Sequence, residues 1–431
     1  MKAYLKKLPF EIRDLVSIAG DLARAHDMRA FLVGGFVRDL ILGVKNLDLD
    51  IVVEGDGIRF AEELARHLKA GLVCHKRFGT ATVLISHALK IDVATAREET
   101  YPEPASLPVV KSGTVRDDLK RRDFSINAMA VSINQENYGE LIDCFHGRKD
   151  LRDKKIRVLH ELSFIDDPTR MVRAIRFEQR LGFKIEPQTL RLLKEAAKDK
   201  MLEQVQPQRV RDELILILKE ECPFKQIKRL NQLLGLRFIH KRLKLLKSNR
   251  ALLESAHDQI LWFRNNYSQR RHLDSWLIYL IALIDPLAPA EARSMCSKYV
   301  LRRGEEKRIF SAKAIRKNFI DELSSKAVRP SRIFHMLDPL SYEVILLLRA
   351  KYRNVRLRKH IADFLEIYNF IRIEVTGHDL YSLGIKPGPF YQNLFAKVLK
   401  AKLDGIVCTK EEELALIHAL ARIKGRELQP Y

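Results

Sequence analysis

The spacing of apolar residues divides the chain near residue 145. Before that point, short apolar runs of strand length alternate with stretches in which apolar residues recur at helical spacing. After it, almost every apolar pattern is helical. The pattern therefore predicts an α+β fold, in which a mixed sheet with helices comes first and a helical remainder follows. The strands are predicted at residues 30–33, 47–55, 79–86 and 89–96.

Turn and cap signals predict the elements between these strands. Gly34-Gly35 ends the first strand, and a short helix is predicted over residues 36–43. Asp56 can cap a further helix whose apolar residues share one face. Residues 98–113 contain three prolines and no periodicity, so we expect a long mobile loop there.

The second part of the chain is predicted to be a series of helices. Asp167 as the N-cap and Pro168 at the first helical position predict a helix that ends near residue 182. Helical segments continue through residues 205–345, and glycines and prolines in residues 376–390 predict a tight connection between two helices.

Charge is the unusual feature of the composition. The chain has 431 residues, with 77 Lys and Arg against 55 Asp and Glu, which gives a formal net charge of +22. This surplus favours a polyanionic partner, and nucleic acid is favoured over a membrane surface because no amphipathic anchor is visible. Residues 349–360 hold six Lys or Arg, with Tyr352 among them, which is typical of a surface that follows phosphates or of a solvated basic face.

Cysteine usage and hydropathy indicate a compartment. Five cysteines without a CxxC pair argue against a disulfide framework or a zinc site. The N-terminus lacks the apolar run of a signal peptide, and the longest apolar stretch, residues 276–284, is too short to span a bilayer. We therefore expect a cytoplasmic protein.

The first candidate site is acidic. Asp48 and Asp50 are two residues apart in a predicted strand, so both carboxylates project from the same face. Such a pair suits Mg²⁺, which also keeps waters and substrate phosphates as ligands. Asp92 on another predicted strand could activate an attacking hydroxyl or complete the metal site. By itself, however, an Asp-x-Asp triplet is usually a solvated face.

Glycines and arginines supply the complementary charges. Gly34 and Gly35 would allow backbone N–H groups to approach an anion, and Arg38 in the next helix would suit a triphosphate. In residues 119–131, Arg122 could contact phosphate or ribose, while Asp123 and Asn127 could fix the loop or the sugar hydroxyls. Structural salt bridges are the alternative explanation for this cluster.

The helix after Asp167 could bind a nucleobase. Arg173 and Arg176 fall on one face with Arg170 at its edge, opposite Met171. Guanidinium groups can present base-like donors while a carboxylate accepts from an amino group. Asp167 with Arg170 could therefore hold a base edge without a template, although a solvated arginine face would have the same pattern.

Three motifs in order carry a resemblance to a known family. GGFVRD with DLD, then RRDFSINAMA, then DDPTRMVRAIRFEQRLGF resemble the bacterial and eukaryotic branch of tRNA nucleotidyltransferases and their relatives, the bacterial poly(A) polymerases. The motifs lie within residues 28–185, and residues 376–390 are similar to the family's C-terminal region.

The resemblance implies a fold and an activity. It implies a DNA polymerase beta-like nucleotidyltransferase head at 1–145, a neck at 146–205, a helical body at 206–345 and a helical tail at 346–431. It implies transfer of nucleotides from CTP and ATP to the 3′ end of tRNA with release of pyrophosphate, and RNA binding by body and tail.

The resemblance also implies roles for residues. Asp48 and Asp50 would bind Mg²⁺. The nucleotide would be bound by residues on both sides of them: Gly34, Gly35, Arg38, Arg122, Asp123, Asn127, Asp167, Arg170, Arg173 and Arg176.

Two positions depart from the family pattern, and several activities stay open. Asp166 stands where the family usually has glutamate, and Gln392-Asn393 stands where a glycine is common. Addition of the whole CCA end and addition of the terminal A alone fit the motifs equally well. Residues 98–113 argue mildly against CC-only addition, poly(A) synthesis is the nearest rival, and an RNA-binding protein with an inactive head is a more distant one.

Overall fold

The computed structural model describes residues 1–44, 48–76, 79–86, 89–267 and 272–427, with side chains up to residue 421. The chain divides into two compact units. The first comprises Met1–Glu220 and Lys225–Phe238, and the second comprises Glu221–Phe224 and Ile239–Tyr431. The finer division into head, neck, body and tail stays a prediction.

The first unit contains the strands of the chain that the structure describes. They are β1 (Arg29–Val33), β2 (Leu49–Glu54), β3 (Gly71–His75), β4 (Thr80–Leu84), β5 (Lys90–Thr95), β6 (Arg97–Thr100), β7 (Val109–Ser112), β8 (Ala130–Ser132), β9 (Leu141–Ile142), β10 (Lys155–Ile156) and β11 (Lys184–Ile185).

The helices of the first unit lie before, between and after these strands along the chain. They are α1 (Lys2–Leu5), α2 (Phe10–Ala25), α3 (Gly34–Leu42), α4 (Gly57–Leu68), α5 (Val115–Lys120), α6 (Gly147–Arg152), α7 (Ser163–Asp166), α8 (Thr169–Leu181), α9 (Pro187–Lys198), α10 (Met201–Gln204), α11 (Pro207–Leu218) and α12 (Phe224–Leu233), which begins at the boundary.

Seven strands form one mixed sheet in the order β3-β4-β5-β2-β1-β8-β9. Every neighbouring pair is antiparallel except β2 with β5, which are parallel. The parallel register sets Asp50 beside Asp92. The α+β prediction is confirmed. Strands β2, β4 and β5 fall within predicted runs, and β1 begins one residue before its predicted run. Of the residues predicted to be in the second strand, Leu47 lies outside the described residues.

The helices α3 and α4 pack apolar faces against the sheet for reasons visible in the sequence. The Asp56 carboxylate accepts hydrogen bonds from the backbone N–H groups of Ile58 and Arg59, so the predicted cap is confirmed. Phe60 and Leu64 lie on the buried face of α4. The prediction for α3 was wrong by two residues, because the helix begins at Gly34 and the glycines form its first turn.

The prediction of a loop without regular structure at residues 98–113 was wrong. Strands β6 and β7 pair with each other in an antiparallel ribbon. The three prolines of this segment fall between the two strands, where they remove no ladder hydrogen bond. The strands are rich in charged or exposed residues, so they lack the apolar alternation from which a strand is predicted. The backbone N–H of Ala105 in the connecting segment donates to the Ile165 carbonyl.

Helix α8 begins one residue later than predicted. Pro168, and not Asp167, occupies the N-cap position. The Asp167 carboxylate still accepts hydrogen bonds from the backbone N–H and the hydroxyl of Thr169, at 3.0 and 2.6 Å. The helix ends as predicted, at Gly182, whose φ of +66° is left-handed.

The second unit is helical. Its helices are α13 (Lys247–Tyr267), α14 (Ser275–Leu283), α15 (Pro289–Lys298), α16 (Arg303–Ala314), α17 (Lys317–Leu323), α18 (Pro330–Leu337), α19 (Tyr342–Lys351), α20 (Val355–Glu366), α21 (Gly377–Ser382), α22 (Pro389–Leu403) and α23 (Lys410–Glu427).

Helix α14 corresponds to the longest apolar run and lies in the core of the second unit. Its residues from Trp276 to Leu283 are all buried. In the ranges that the structure describes, every helix is too short or too polar to cross a membrane.

Candidate active site

A polar cleft in the first unit brings together most of the predicted site residues. Its volume is about 800 Å³, within the usual range of small-molecule sites. Twelve of the thirteen predicted residues line it, from four separate stretches of chain: Gly34, Gly35, Arg38, Asp48, Asp50, Arg122, Asp123, Asn127, Asp167, Arg170, Arg173 and Arg176. The exception is Asp92.

Asp50 is a buried carboxylate of the cleft whose pKa is raised. Burial raises its pKa to about 6, the charge of Arg122 acts against this rise, and the carboxylates of Asp92 and Asp48 add to it. Asp92 lies beside Asp50 on β5, where it accepts hydrogen bonds of 2.6 Å from the Thr82 hydroxyl and the Lys90 ammonium. This edge of the cleft therefore concentrates negative charge.

Gly34 provides a close approach that another residue would block. Its φ is +67°, and a β carbon at this position would lie 2.6 Å from Arg122 Nη1 and 3.9 Å from Asp50 Oδ2. The guanidinium of Arg122 and the carboxylate of Asp50 therefore both lie close to the position that a side chain at residue 34 would occupy. A guanidinium cation and a carboxylate that could bind a metal therefore both lie near Gly34.

Arg38 is buried within the wall of the cleft. It donates to Asp39 Oδ1 at 2.8 Å and to Asn127 Oδ1 at 2.7 Å, and its guanidinium lies 5.3 Å from the centroid of the Phe177 ring. Asn127 in turn donates to Asp123 Oδ1 at 2.9 Å. These bonds match the loop-fixing alternative for Asn127.

Asp123 is the centre of a buried ion-pair network. Its Oδ2 accepts from Arg173 Nε at 3.0 Å and from Arg173 Nη2 at 2.7 Å, while Arg173 Nη1 donates to Glu213 Oε1 at 2.8 Å. Burial by itself would raise the pKa of Asp123, but Arg173 and Asn127 outweigh it and hold the pKa below the usual range. The network ties α8 to the loop after α5 and to α11.

Asp167 and Arg170 are both held by neighbouring groups. Arg170 is 4% exposed and donates from Nη1 to the Ser163 hydroxyl and from Nη2 to the Arg121 carbonyl, each at 2.7 Å. Asp167 Oδ1 lies 2.9 Å from Arg209 Nη2. The two side chains predicted to read a base are therefore oriented in advance.

Three buried polar atoms of the cleft have no hydrogen-bond partner among the described residues. They are Arg176 Nε, Arg209 Nη1 and Glu213 Oε2. Arg176 lies 3.6 Å from Glu213, but burial outweighs this attraction and lowers the pKa of Arg176. Unpaired buried donors and acceptors are costly, so this wall is suited to a polar ligand.

Several residues of the cleft were missed at the sequence level. Arg209 and Glu213 are four residues apart on α11, a spacing that places them on one helix face, but nothing in their segment pointed to the cleft. Asp118 precedes Arg121 and Arg122 at helical spacings, which could have predicted their ion pairs.

The predicted basic surface at residues 349–360 is partly used inside the second unit. Arg349 lies 3.7 Å from the centroid of a Trp262 ring and donates to Gln259, and Lys351 pairs with Asp285. Arg353, Arg356 and Lys359 are exposed, so they can face a polyanion. His378 and Asp379 lie at the start of α21, where Asp379 forms a capping box with Thr376.

Two family descriptions match parts of the chain before residue 247. Residues 30–157 match the Poly A polymerase head domain, and residues 182–246 match the Probable RNA and SrmB-binding site of polymerase A.

Curated relatives match nearly the whole chain. An A-adding tRNA nucleotidyltransferase of Geobacter sulfurreducens is 39% identical over 95% of this chain, and the chain spans 47% of that relative's length. The corresponding A-adding enzyme of Halalkalibacterium halodurans is 32% identical over 93% of this chain and 90% of its own length.

Solved structures of CCA-adding enzymes share the fold. An apo form superposes with a TM-score of 0.77 at 36% identity, covering 97% of this chain and 98% of its own. The Thermotoga maritima CCA-adding enzyme complexed with tRNA_CCA superposes with a TM-score of 0.71 at 35% identity, covering 97% and 98%.

Proposed function

The chain belongs to the family of tRNA nucleotidyltransferases and poly(A) polymerases, and we propose that it transfers AMP from ATP to the 3′ hydroxyl of tRNA that ends in CC. One observation carries the proposal. A single cleft of about 800 Å³ joins the carboxylates of Asp48 and Asp50 to the arginines of α8. Such a cleft offers an acidic edge for a metal-bound triphosphate and a donor-rich wall for a base.

The acidic edge fits a divalent cation. The burial of Asp50 beside two other carboxylates raises its pKa to about 6, and a cation would offset the cost of keeping them charged together. In the described ranges, no group of three or more His, Cys, Asp or Glu could hold a metal alone. A pair of carboxylates completed by substrate phosphates and water is a set that Mg²⁺ accepts. When bound, Mg²⁺ would neutralise charge on the attacking and leaving oxygens.

The chain's own residues would bind and orient the nucleotide. Arg122, whose Nη1 lies close to Gly34, would contact phosphate oxygens. Arg38 and Asn127 support the wall from within, and Gly35 keeps the first turn of α3 open. Asp92 adds negative charge beside Asp50.

The opposite wall would select the base. Adenine presents an amino donor beside a ring-nitrogen acceptor, as cytosine does, whereas guanine and uracil present a carbonyl beside a ring N–H. The carboxylate of Asp167 can accept from the amino group, and Arg170 can donate to the ring nitrogen. Arg173 and Arg176 hold this wall in place through Asp123 and Glu213.

Terminal A addition is favoured over the alternatives because the A-adding relatives that match nearly the whole chain are 39% and 32% identical to it, whereas two CCA-adding relatives that match it over a similar length are 28% and 29% identical. Addition of the whole CCA end is the second candidate, since the CCA-adding structures superpose over almost the full chain and the base-edge argument admits CTP as well as ATP. Both activities use tRNA, to which the exposed cations of α20 would contribute. A cytoplasmic location fits that substrate.

Extension of defined tRNA ends tests the proposal. The protein is incubated with Mg²⁺ and labelled ATP or CTP, with tRNA ending at the discriminator base, at C or at CC. We expect AMP to be added to the CC end only. Extension of all three ends would instead establish CCA addition, and long A tails on unrelated RNA would establish poly(A) synthesis. The absence of any incorporation would refute nucleotidyltransferase activity.

Substitution of the acidic pair tests the metal assignment. Asp48→Ala and Asp50→Ala should each abolish incorporation, because each removes an oxygen ligand, while tRNA binding in a filter assay stays near the wild-type value. Asp56→Ala, which removes the exposed cap of α4 and does not touch the cleft, is the control. Persistent activity in the Asp50 variant would show that the metal ligands are elsewhere.

A further inference from the structure

A fully buried carboxylate lies behind the wall of the cleft. Asp118 in α5 is 0% exposed, and it is not one of the described residues that line the cleft. Its Oδ1 accepts from Arg121 Nε at 2.9 Å and Nη2 at 2.6 Å. Its Oδ2 accepts from Arg122 Nε at 3.2 Å and Nη2 at 2.9 Å. One buried anion therefore orients two consecutive arginines, both of which line the cleft.

The ion pair between Asp118 and Arg122 orients a cation toward the acidic edge of the cleft. With Nε and Nη2 directed to Asp118, Arg122 presents Nη1 to the backbone of Gly34. Its charge also acts on the Asp50 carboxylate. The position of this guanidinium therefore depends on Asp118, and so does the cation that faces the metal-binding edge.

The ion pair between Asp118 and Arg121 is connected to the base-selecting wall. The backbone carbonyl of Arg121 accepts from Arg170 Nη2 at 2.7 Å, and Arg121 Nη1 donates to Glu99 Oε1 at 3.1 Å. Glu99 is on β6, so the same arginine also joins the β6–β7 ribbon to α5. The backbone that holds Arg170 is thus fixed by a side chain that Asp118 anchors.

We propose that Asp118 is a positioning residue that couples the triphosphate-binding edge of the cleft to its base-selecting wall. The inference rests on the proposed function, because it assigns phosphate contact to Arg122 and base contact to Arg170. Its physical basis is charge and burial. Without the carboxylate, the two adjacent guanidinium groups would repel each other, and four of their N–H groups would lose the acceptor to which they donate. Both sides of the cleft would then shift together.

Equilibrium binding of nucleotide in the presence of Mg²⁺ separates this role from a structural one. Dissociation constants for ATP and GTP are measured by equilibrium dialysis for the full chain and for Asp118→Asn. We expect ATP affinity to fall roughly 10-fold, as for the loss of one charge-assisted hydrogen bond. We also expect the preference for ATP over GTP to shrink, because Arg170 loses its anchor.

Three further variants separate the effects of Asp118→Asn on phosphate contact, on base selection and on the stability of α5. Arg122→Met should weaken ATP and GTP alike, because it removes phosphate contact only. Ser163→Ala removes the other anchor of Arg170 and should change the preference for ATP over GTP with little effect on the phosphates. Asp117→Asn, the neighbouring acid that caps the same helix, controls for loss of α5 stability and should change neither constant.

A double-mutant cycle completes the test. If Asp118 acts through Arg122, the effects of Asp118→Asn and Arg122→Met on ATP affinity will be smaller together than their sum. If Asp118→Asn does not fold, Asp118→Glu replaces it in the same cycle.

The outcomes discriminate between the two proposals. Weaker ATP binding, reduced discrimination and non-additivity support the coupling. Additive effects, or values for the Asp118 variant that equal those of Asp117→Asn, overturn it. A wild-type protein that binds Mg²⁺ and ATP but extends no tRNA would refute the proposed function, while the binding constants would still decide the role of Asp118.

Discussion

Replacing Asp123 by alanine should destabilise the first unit severely. The carboxylate accepts hydrogen bonds from the backbone N–H of Phe124, from Asn127 and twice from Arg173. Removing one partner of a buried ion pair costs about 3–5 kcal/mol, because the other charge stays buried. The Arg173 side chain is 30% exposed and keeps its bond to Glu213, so we expect a loss near the lower end, about 3 kcal/mol.

The pH dependence of this loss follows from the pKa of Asp123. The folded-state pKa is lowered from the model-peptide value of 3.8. A carboxyl with a lowered pKa contributes stability that is present above the unfolded pKa and is lost as the pH falls through the folded pKa. The difference in stability between the wild type and Asp123→Ala should therefore be constant near neutral pH and shrink below about pH 4.

The assay must report on the first unit specifically. Both tryptophans, Trp262 and Trp276, lie in the second unit, so their fluorescence would not follow unfolding around Asp123. Hydrogen exchange of peptides from residues 115–135 and 169–181, measured by mass spectrometry against urea, reports on the network directly. The control is Glu63→Ala, which breaks an exposed pair with Arg66 on α4 and should cost less than about 1 kcal/mol. Equal losses in the two variants would show that the Asp123 network contributes no more than a surface pair.

Two further pairs of substitutions test backbone geometry and capping. Gly34→Ala and Gly182→Ala place a β carbon at nearly the same left-handed φ, +67° and +66°, and each should cost about 1–2 kcal/mol of stability. Only the first should impair ATP binding and AMP incorporation, since its β carbon would contact Arg122 while nothing lies within 4 Å at the second. Lys313 Nζ donates to three carbonyls after α14, each at 2.8 Å, so Lys313→Met should lower the urea midpoint seen by tryptophan fluorescence by an amount equivalent to about 2 kcal/mol. The exposed Lys307→Met on the same helix should leave that midpoint nearly unchanged, and equal shifts in the two variants would refute the capping role.

Elements with an apolar signal were predictable from the sequence. The strands at β1, β2, β4 and β5 show runs or alternation of apolar residues, and the cap of α4 is a local hydrogen bond that one Asp can make. The β6–β7 ribbon was not predictable in this way. Its strands are held together by backbone hydrogen bonds, and Glu99 joins β6 to Arg121 at the end of α5. Neither interaction leaves an apolar period in the sequence.

The candidate site divides in the same manner. Motif residues such as Asp50 and Arg170 could be named because their local pattern is dense, although their roles stay predictions. Arg209, Glu213 and Asp118 act on the cleft through contacts with residues of other elements or from behind its wall. Such contacts depend on tertiary packing, and a spacing of three or four residues along one helix does not reveal what that helix faces.

The order in which the chain is synthesised separates the two walls of the cleft in time. The seven-stranded sheet can close once β9 has been made, whereas Glu213, the partner of Arg173, follows Ile142 by 71 residues (213 − 142 = 71). At the usual pace of translation, that delay is about 4–14 s. During it, a nascent chain already has the carboxylates of β2 and their neighbours on β5, but not the complete wall that would face a base. A fragment that stops before α11 should therefore fold its sheet and still fail to choose a nucleotide.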